Sequence, residues 1–178
     1  MNLYLVRHGQ RGKNEKFDTL TKEGIWQSKR LGPYFKDKKI DYVYVSPQKR
    51  ARDTLKHIIP YLNKNVKIDI SESVKQQGAP AEVEEWVIKK YKIKNETDSQ
   101  TKIRTSKFLK LLKKKHKKDN VLIVTHKRFA TFTIKILLNL KGKRGKYVYV
   151  PSSSVSYFKI ESNKLKDFLT SDIRHLLR

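Results

Sequence analysis

The sequence predicts an α/β domain with a mostly parallel central sheet, on three observations. Short apolar runs of strand length recur along the chain, segments with helical spacing lie between most of them, and no Pro-, Gly- or Ser-rich linker divides it. Strands that alternate with helices favour a parallel sheet, because each helix carries the chain back across the sheet. At 178 residues the chain fits a single domain over 1–178, long enough to bury a core without disulfides.

Six strands are predicted from runs of apolar and β-branched side chains. They are Asn2–Val6, Asp41–Val45, Val66–Ile70, Val121–Thr125, Tyr147–Val150 and Val155–Ile160. The run Tyr147–Val150 has two interpretations, a core strand or an edge strand that pairs with a second copy of the chain, and we favour the core strand. A monomer and a homodimer are both compatible with the sequence.

The helices follow from start and stop signals. Thr21 is the expected N-cap of a helix that runs to Phe35. Ser46 is the expected cap of a second helix, with Pro47 at its first position and its end near Pro60. Apolar spacing predicts two more helices. They span about Ser99–Lys117 and Arg128–Leu140.

The charge balance is the main signal in the composition. Lys and Arg number 42 against 17 Asp and Glu, a formal net charge of +25 that makes this a basic protein. Such an excess attracts phosphates, nucleic acids or anionic membranes, and it also fits a solvated lysine-rich surface. The basic runs at 113–118 and 141–146 lack the interleaved aromatic residues of a single-strand platform. We therefore expect a phosphorylated small molecule as the partner rather than a nucleic acid.

Other features narrow the class of protein. The chain has no cysteine, which excludes disulfides and thiolate metal sites. No apolar stretch reaches the roughly 18 residues of a membrane span, and the first residues lack the pattern of a signal peptide. The expectation is a cytoplasmic protein with no membrane partner.

Chemically distinctive residues follow the predicted strands. An open parallel sheet binds its ligand beyond the carboxyl ends of its strands. Those ends carry Arg7-His8, Ser46-Pro47, Ser71-Glu72 and Thr125-His126. The planar fork of arginine donates two hydrogen bonds to one phosphate, and neutral imidazole can attack phosphorus without first losing a proton. The strand ends therefore predict an anion site that contains a nucleophile, as in a phosphate enzyme.

The motifs at these positions resemble the histidine phosphatase superfamily, which has the phosphoglycerate mutase-like fold. The matching residues occur in the family's order and cover most of the chain. They are Arg7-His8-Gly9, Asn14, Leu20–Gly24 with Gln27, Ser46–Thr54, and Val124-Thr125-His126. The resemblance implies a three-layer α/β/α sandwich around the mostly parallel sheet.

The resemblance also implies a role for each site residue. His8 is the nucleophile that takes the phosphoryl group, and His126 faces the same phosphate and donates to an oxygen that gains negative charge. Arg7, Arg50 and Asn14 hold the phosphate. No metal and no other cofactor is expected.

Two positions depart from the family's pattern. The family usually supplies its general acid as a glutamate just after the third strand, and Glu72 stands there, although the stretch Ser73–Pro80 that follows differs from the family's. The resemblance implies Glu72 as the acid, and the sequence leaves another acidic residue as the alternative. Lys127 stands where the family usually has glycine, and it either adds positive charge to the substrate site or points into solvent.

The resulting expectation is a metal-independent phosphatase that hydrolyses phosphate monoesters through a phosphohistidine at His8. The first alternative is a protein-phosphohistidine phosphatase, because the stretch Gly78–Trp86 is reminiscent of that small branch. The second is phosphoglycerate mutase, although the chain lacks the length for the insertions of the cofactor-dependent mutases. The third is a non-catalytic polyanion-binding module, which would not need the intact set of site residues. The sequence does not identify the phosphorylated substrate.

Overall fold

The protein is described from a computed structural model over residues 1–12, 19–77, 96–141 and 147–177. The strands are β1 (Asn2–Arg7), β2 (Tyr42–Val45), β3 (Lys67–Ile70), β4 (Asn120–Thr125), β5 (Val155–Glu161) and β6 (Lys164–Asp172). The α-helices are α1 (Lys22–Phe35), α2 (Lys49–Lys56), α3 (Asp98–Lys115) and α4 (Lys127–Leu137). Short 3₁₀ turns lie at Ile59–Tyr61, Glu72–Val74 and Arg174–Leu176.

The strands form one sheet in the order β3-β2-β4-β1-β5-β6. The pairs β1–β4, β2–β4 and β2–β3 are parallel, whereas β5 runs antiparallel to both β1 and β6. The prediction of a mostly parallel sheet is confirmed.

Helices cover both faces of this sheet, as the three-layer prediction requires. In β1, Leu3 and Leu5 pack in one cluster with apolar residues of α3 and α4, such as Phe108. Tyr4 and Val6 pack in a second cluster with residues of α1 and α2. Side chains of a strand alternate between its two faces, so an unbroken apolar run is what a strand buried on both faces needs.

Helix boundaries mostly follow the sequence signals. Thr21 caps α1 as predicted, since its Oγ1 accepts a hydrogen bond from the Gly24 amide at 2.9 Å. The predicted 99–117 and 128–140 helices are observed as α3 and α4, each with ends shifted by one to three residues. Within the described residues, no helix combines the length and the apolar character needed to cross a membrane.

The predicted start of α2 is wrong. Gln48, not Ser46, is the residue that precedes the helix, and α2 begins at Lys49 and ends at Lys56. The hydroxyl of Ser46 is a contact of His126 instead of a helix cap. Ser46 Oγ also accepts from the Gln48 amide at 3.3 Å, so the Ser-Pro pair forms a turn just before the helix and not its cap.

The predicted strand at Tyr147–Val150 is also wrong. These residues lie outside the sheet, with Tyr147 82% exposed and Val150 buried in the core. The alternation of tyrosine and valine reflects one face in contact with the core without ladder hydrogen bonds. The sixth strand is β6, which sequence analysis missed because its largely polar run offers no apolar periodicity.

Candidate active site

The carboxyl ends of the parallel strands bring the two site histidines together. Arg7 is level with Thr125 in the β1–β4 ladder, and the His8 amide continues that ladder by donating to the Thr125 carbonyl at 2.9 Å. The Ser46 amide likewise donates to the Val124 carbonyl at 3.0 Å. The His8 and His126 rings, each following its strand, lie 5.0 Å apart between centroids.

The loop after β1 is clamped against α1 and α2. The Gly9 amide donates to Thr54 Oγ1 at 3.0 Å. A Cβ at Gly9 would collide with the Gly24 carbonyl and lie 2.6 Å from Ser28 Oγ, so only glycine allows this approach. Thr54 Oγ1 in turn donates to the Arg50 carbonyl at 2.8 Å. These contacts fix His8 relative to the helix that carries Arg50.

Hydrogen bonds define the tautomer of His8. Nδ1 lies 2.7 Å from the Gly9 carbonyl, which can only accept, so Nδ1 carries the proton. Nε2 accepts from Arg50 Nε at 3.2 Å and therefore holds a lone pair. Burial, reinforced by the Arg50 charge, lowers the pKa of His8 to about 3. The ring is neutral at physiological pH.

Arg50 is the centre of the cluster. It lies in the first turn of α2 and is buried. Its Nε donates to His8, its Nη2 donates to His126 Nδ1 at 3.0 Å, and the same Nη2 donates to Gln76 Oε1. One guanidinium thus holds both imidazoles, and its planar fork suits a phosphate in the same place.

A series of hydrogen bonds between side chains orients His126. Because Nδ1 accepts from Arg50, the ring proton of neutral His126 is on Nε2, which donates to Ser46 Oγ at 2.7 Å. Ser46 Oγ donates onward to Gln48 Oε1, which also accepts from the Gln76 amide at 3.3 Å. Burial lowers the pKa of His126 well below its ordinary value, and electrostatic coupling to His8 and to Arg50 lowers it further.

Arg7 adds a second cation beside the histidines. Its Nη1 donates to the Val150 carbonyl at 2.7 Å, while its buried Nε has no hydrogen-bond acceptor in the described structure. Burial lowers the pKa of Arg7, and the positive charges of Arg11 and Arg50 lower it further. The pocket therefore combines two arginines with two neutral histidines, and it is strongly electropositive.

The structure brings four of the predicted site residues together and places Glu72 away from them. His8, Arg50 and His126 are joined by hydrogen bonds, and Arg7 is the last residue of β1, directly before His8. Glu72 points outward, because its side chain is 70% exposed and its Oε2 lies 3.1 Å from Lys75 Nζ.

The other two residues are not seen in the pocket. Lys127 is exposed at the first position of α4, and Asn14 lies outside the described residues. Over the ranges that the structure describes, no three His, Asp or Glu side chains gather as metal ligands would.

Sequence analysis assigned no supporting role in this site to three polar residues. Gln76 contacts Arg50, while Ser46 and Gln48 support His126. A signal existed for Ser46, which follows a strand at the same edge of the sheet as the histidines. Gln48 and Gln76 carry no such signal, because their positions depend on how a turn packs against α2.

Solved structures with the same architecture include several enzymes. A Bacillus stearothermophilus protein, YhfR, is similar with a TM-score of 0.80 and 17% identity over 98% of each chain. A phosphoglycerate mutase from Bacillus anthracis str. Sterne is similar with a TM-score of 0.78 and 17% identity, over 99% of this chain and 95% of that one. A mutant phosphoserine phosphatase from Entamoeba histolytica, in complex with phosphoserine, is similar with a TM-score of 0.73 and 21% identity over 98% of each chain. No curated protein matches the sequence.

The family is shown by a match along the sequence itself. The model of the histidine phosphatase superfamily (branch 1) matches residues 3–73 and 69–169. These ranges include His8, Arg50 and His126, the residues that the fold gathers at one edge of the sheet. The chain therefore belongs to the histidine phosphatase superfamily.

Proposed function

We propose that the protein is a metal-independent phosphatase that hydrolyses phosphate monoesters of small molecules through a phosphohistidine at His8. The observation that carries this proposal is the state of His8: a buried neutral imidazole whose Nε2 lone pair faces a buried arginine. A nucleophile without a proton on its attacking nitrogen can react at once, and the guanidinium marks where a phosphate oxygen would be held.

Substrate binding would exchange contacts that already exist. A phosphate dianion would take over the Arg50 donors that now reach His8 and His126, and the buried Arg7 Nε would gain an acceptor. The exchange frees His8 Nε2 to face phosphorus. Because the donors are already fixed in a buried pocket, little reorganisation is needed as charge moves onto the transferring group.

The reaction would proceed in two displacements. His8 Nε2 attacks phosphorus, the bond from phosphorus to the ester oxygen breaks, and the leaving oxygen takes a proton from a general acid, the role that the family resemblance gives to Glu72. Water then attacks the phosphohistidine, its proton passes to the same group, now a base, and His8 leaves with its Nε2 lone pair restored. The Nδ1 hydrogen bond to the Gly9 carbonyl strengthens when the ring becomes cationic, which supports the intermediate.

His126 would stabilise the phosphoryl group as its charge moves. The bound dianion opposes the burial that lowers the pKa of His126, so it favours a second proton on Nδ1. Ser46 keeps Nε2 occupied as a donor and holds the ring plane. The protonated Nδ1 then points at the phosphate in place of its present contact with Arg50.

A second candidate substrate is phosphohistidine on a protein. It is favoured by the position of Glu72, which is ion-paired with Lys75 at the surface, while the neutral amide of Gln76 contacts Arg50. Among the described residues, no carboxylate forms a hydrogen bond with His8 or His126. A nitrogen leaving group depends less on a carboxylic acid donor than an alkoxide does.

The test is phosphate release from p-nitrophenyl phosphate in EDTA. Wild-type protein should be active, His8→Ala should be inactive, and His57→Ala should match wild type because His57 takes no part in the cluster. Loss of wild-type activity in EDTA that returns with added metal would overturn metal independence, and an active His8→Ala protein would overturn the nucleophile.

Glu72→Gln separates the two substrate classes. If Glu72 is the acid, the variant should lose activity on an alkyl phosphate much more than on phosphoramidate. Equal activity of variant and wild type on both compounds would remove Glu72 from the mechanism; a wild-type kcat/KM that is higher on phosphoramidate than on the alkyl phosphate would favour the phosphohistidine candidate.

A further inference from the structure

A second cavity lies outside the active site. It has a volume of about 480 Å³ and opens between the β2–β3 side of the sheet and helix α3. Its lining includes none of His8, Arg7, Arg50 and His126. This volume falls within the usual size of small-ligand sites, roughly 300 to 1,000 Å³.

One wall of this cavity is apolar. The rings of Tyr44 and Phe108 meet edge to face, 5.1 Å apart between centroids, and form the deep part. Ile103 and Leu111 lie on α3 two turns apart, and they leave 52% and 53% of their surface exposed. Large apolar side chains exposed along one face of a helix, beside a cavity, favour a partly apolar ligand.

The charges around the cavity leave one cation in excess. Arg104 is already neutralised by Glu96, whose oxygens accept from Nε at 2.8 Å and from Nη2 at 2.6 Å. Lys107 and Lys115 also line the cavity, and in the described structure neither forms an ion pair. Asp69 is the acidic residue of the lining. Two lysines against one aspartate match a ligand with a single negative charge.

The positions of Lys115 and Lys107 place a positive charge close to the apolar wall of the cavity. Its Nζ is held by Tyr44 Oη at 3.1 Å and Tyr42 Oη at 3.3 Å, directly beside the aromatic wall. Lys107 lies between Ile103 and Leu111 along α3, one turn from each. A ligand with its apolar body on the aromatic wall would therefore have a lysine within reach of its anionic group.

We propose that this cavity is a regulatory site for a small amphiphilic monoanion, an aromatic or branched aliphatic body that carries one carboxylate or sulfonate. The apolar body packs on Tyr44, Phe108 and the exposed side chains of α3. The anionic group pairs with Lys107 or Lys115.

The cavity is connected to the catalytic residues by short hydrogen bonds. Arg104, which lines it, donates through Nη1 to the Ser73 carbonyl at 2.7 Å and the Lys75 carbonyl at 3.3 Å. The same segment continues to Gln76, which accepts from Arg50, and its Val74 carbonyl accepts from Thr125 Oγ1 at 2.5 Å. A ligand that shifts this segment therefore shifts the partners of Arg50 and of the strand end before His126.

The binding test uses 8-anilino-1-naphthalenesulfonate, a fluorescent aromatic monoanion, on the full chain. Lys107→Glu should weaken its binding about tenfold, because a charged hydrogen bond of ~1.4 kcal/mol corresponds to that factor. Lys110→Glu is the matched control: it makes the same charge change on an exposed neighbour that does not line the cavity, and its affinity should stay near the wild-type value.

A second variant protects the test against misfolding. Ile103→Ser removes an exposed apolar contact, so it should leave the unfolding midpoint unchanged and still weaken binding. Equal affinity of wild type, Lys107→Glu and Ile103→Ser would overturn the site. Equal binding of the uncharged analogue N-phenyl-1-naphthylamine would overturn the charge match. Probe binding that weakens as protein concentration rises would show that a second copy covers the cavity, which also overturns the proposal.

The proposal that this cavity regulates the enzyme rests on the proposed phosphatase function, and it is tested by enzyme kinetics separately from binding. Saturating probe should change kcat for p-nitrophenyl phosphate in wild type, and it should not do so at the same concentration in Lys107→Glu. Unchanged kcat at full occupancy would overturn regulation. An enzyme inactive on every phosphate compound would overturn the phosphatase function while the fluorescence titration still decides the binding site.

Discussion

Mild acid should destabilise the fold through His8. The pKa of this histidine is about 3 in the folded protein and about 6.5 in an unfolded chain, so between these values the unfolded chain binds the additional proton. The stabilising contribution of a group with a lowered folded pKa is complete above the unfolded value and is lost as the pH falls. From pH 7 to pH 5 this one group removes about 2 kcal/mol from the free energy of unfolding.

Urea unfolding of wild type and His8→Asn at pH 7 and pH 5 measures this difference. The carboxylates and the histidines outside the His8–His126 pair contribute equally to both proteins, so their effects cancel in the comparison. Wild type should lose about 2 kcal/mol more than the variant over this interval. An equal loss in the two proteins would refute the conclusion that His8 is held neutral by burial and by Arg50.

Three further predictions concern supporting residues. Gln76→Glu places a carboxylate on Arg50 where it competes with phosphate, so KM for p-nitrophenyl phosphate should rise about tenfold with a smaller change in kcat, and steady-state kinetics would show this. Ser46→Ala removes the acceptor of the His126 Nε2 proton and should lower kcat about tenfold; it should also cost about 1–3 kcal/mol in the free energy of unfolding, because a buried donor is left unpaired, and unaltered kcat would show that His126 needs no such support. Gly24→Ala forces a Cβ into the Gln10 backbone and should destabilise the protein by about 1–3 kcal/mol in urea, whereas Gly12→Ala, whose new Cβ has no atom of the described residues within 4 Å, should not.

The strand ends were predictable because burial on both faces leaves a strong signal. Leu3–Val6 and Val121–Val124 are unbroken apolar runs, and a site histidine stands two residues after the end of each. Parallel pairing of β1 and β4 then places His8 and His126 side by side without further information. The pair of histidines therefore follows from sequence and topology, whereas Arg50 was implied by the family motif at Ser46–Thr54.

The supporting residues were not predictable for a different reason. Ser46 and Pro47 have the local pattern of a helix start, yet the hydroxyl forms a tertiary hydrogen bond with a histidine 80 residues away. Gln76 follows a 3₁₀ turn with no periodic pattern. β6 is an outer strand whose stability comes from pairing with β5 and not from its own apolar residues.

The central claim is tested most directly by locating the phosphoryl group on the protein. Wild type is mixed with p-nitrophenyl phosphate, quenched rapidly in alkali to preserve phosphohistidine, digested, and analysed by tandem mass spectrometry. The mechanism predicts one added phosphoryl group on His8 that disappears when the substrate is exhausted. Phosphate release with no adduct on His8, or an adduct on another residue during turnover, would contradict it.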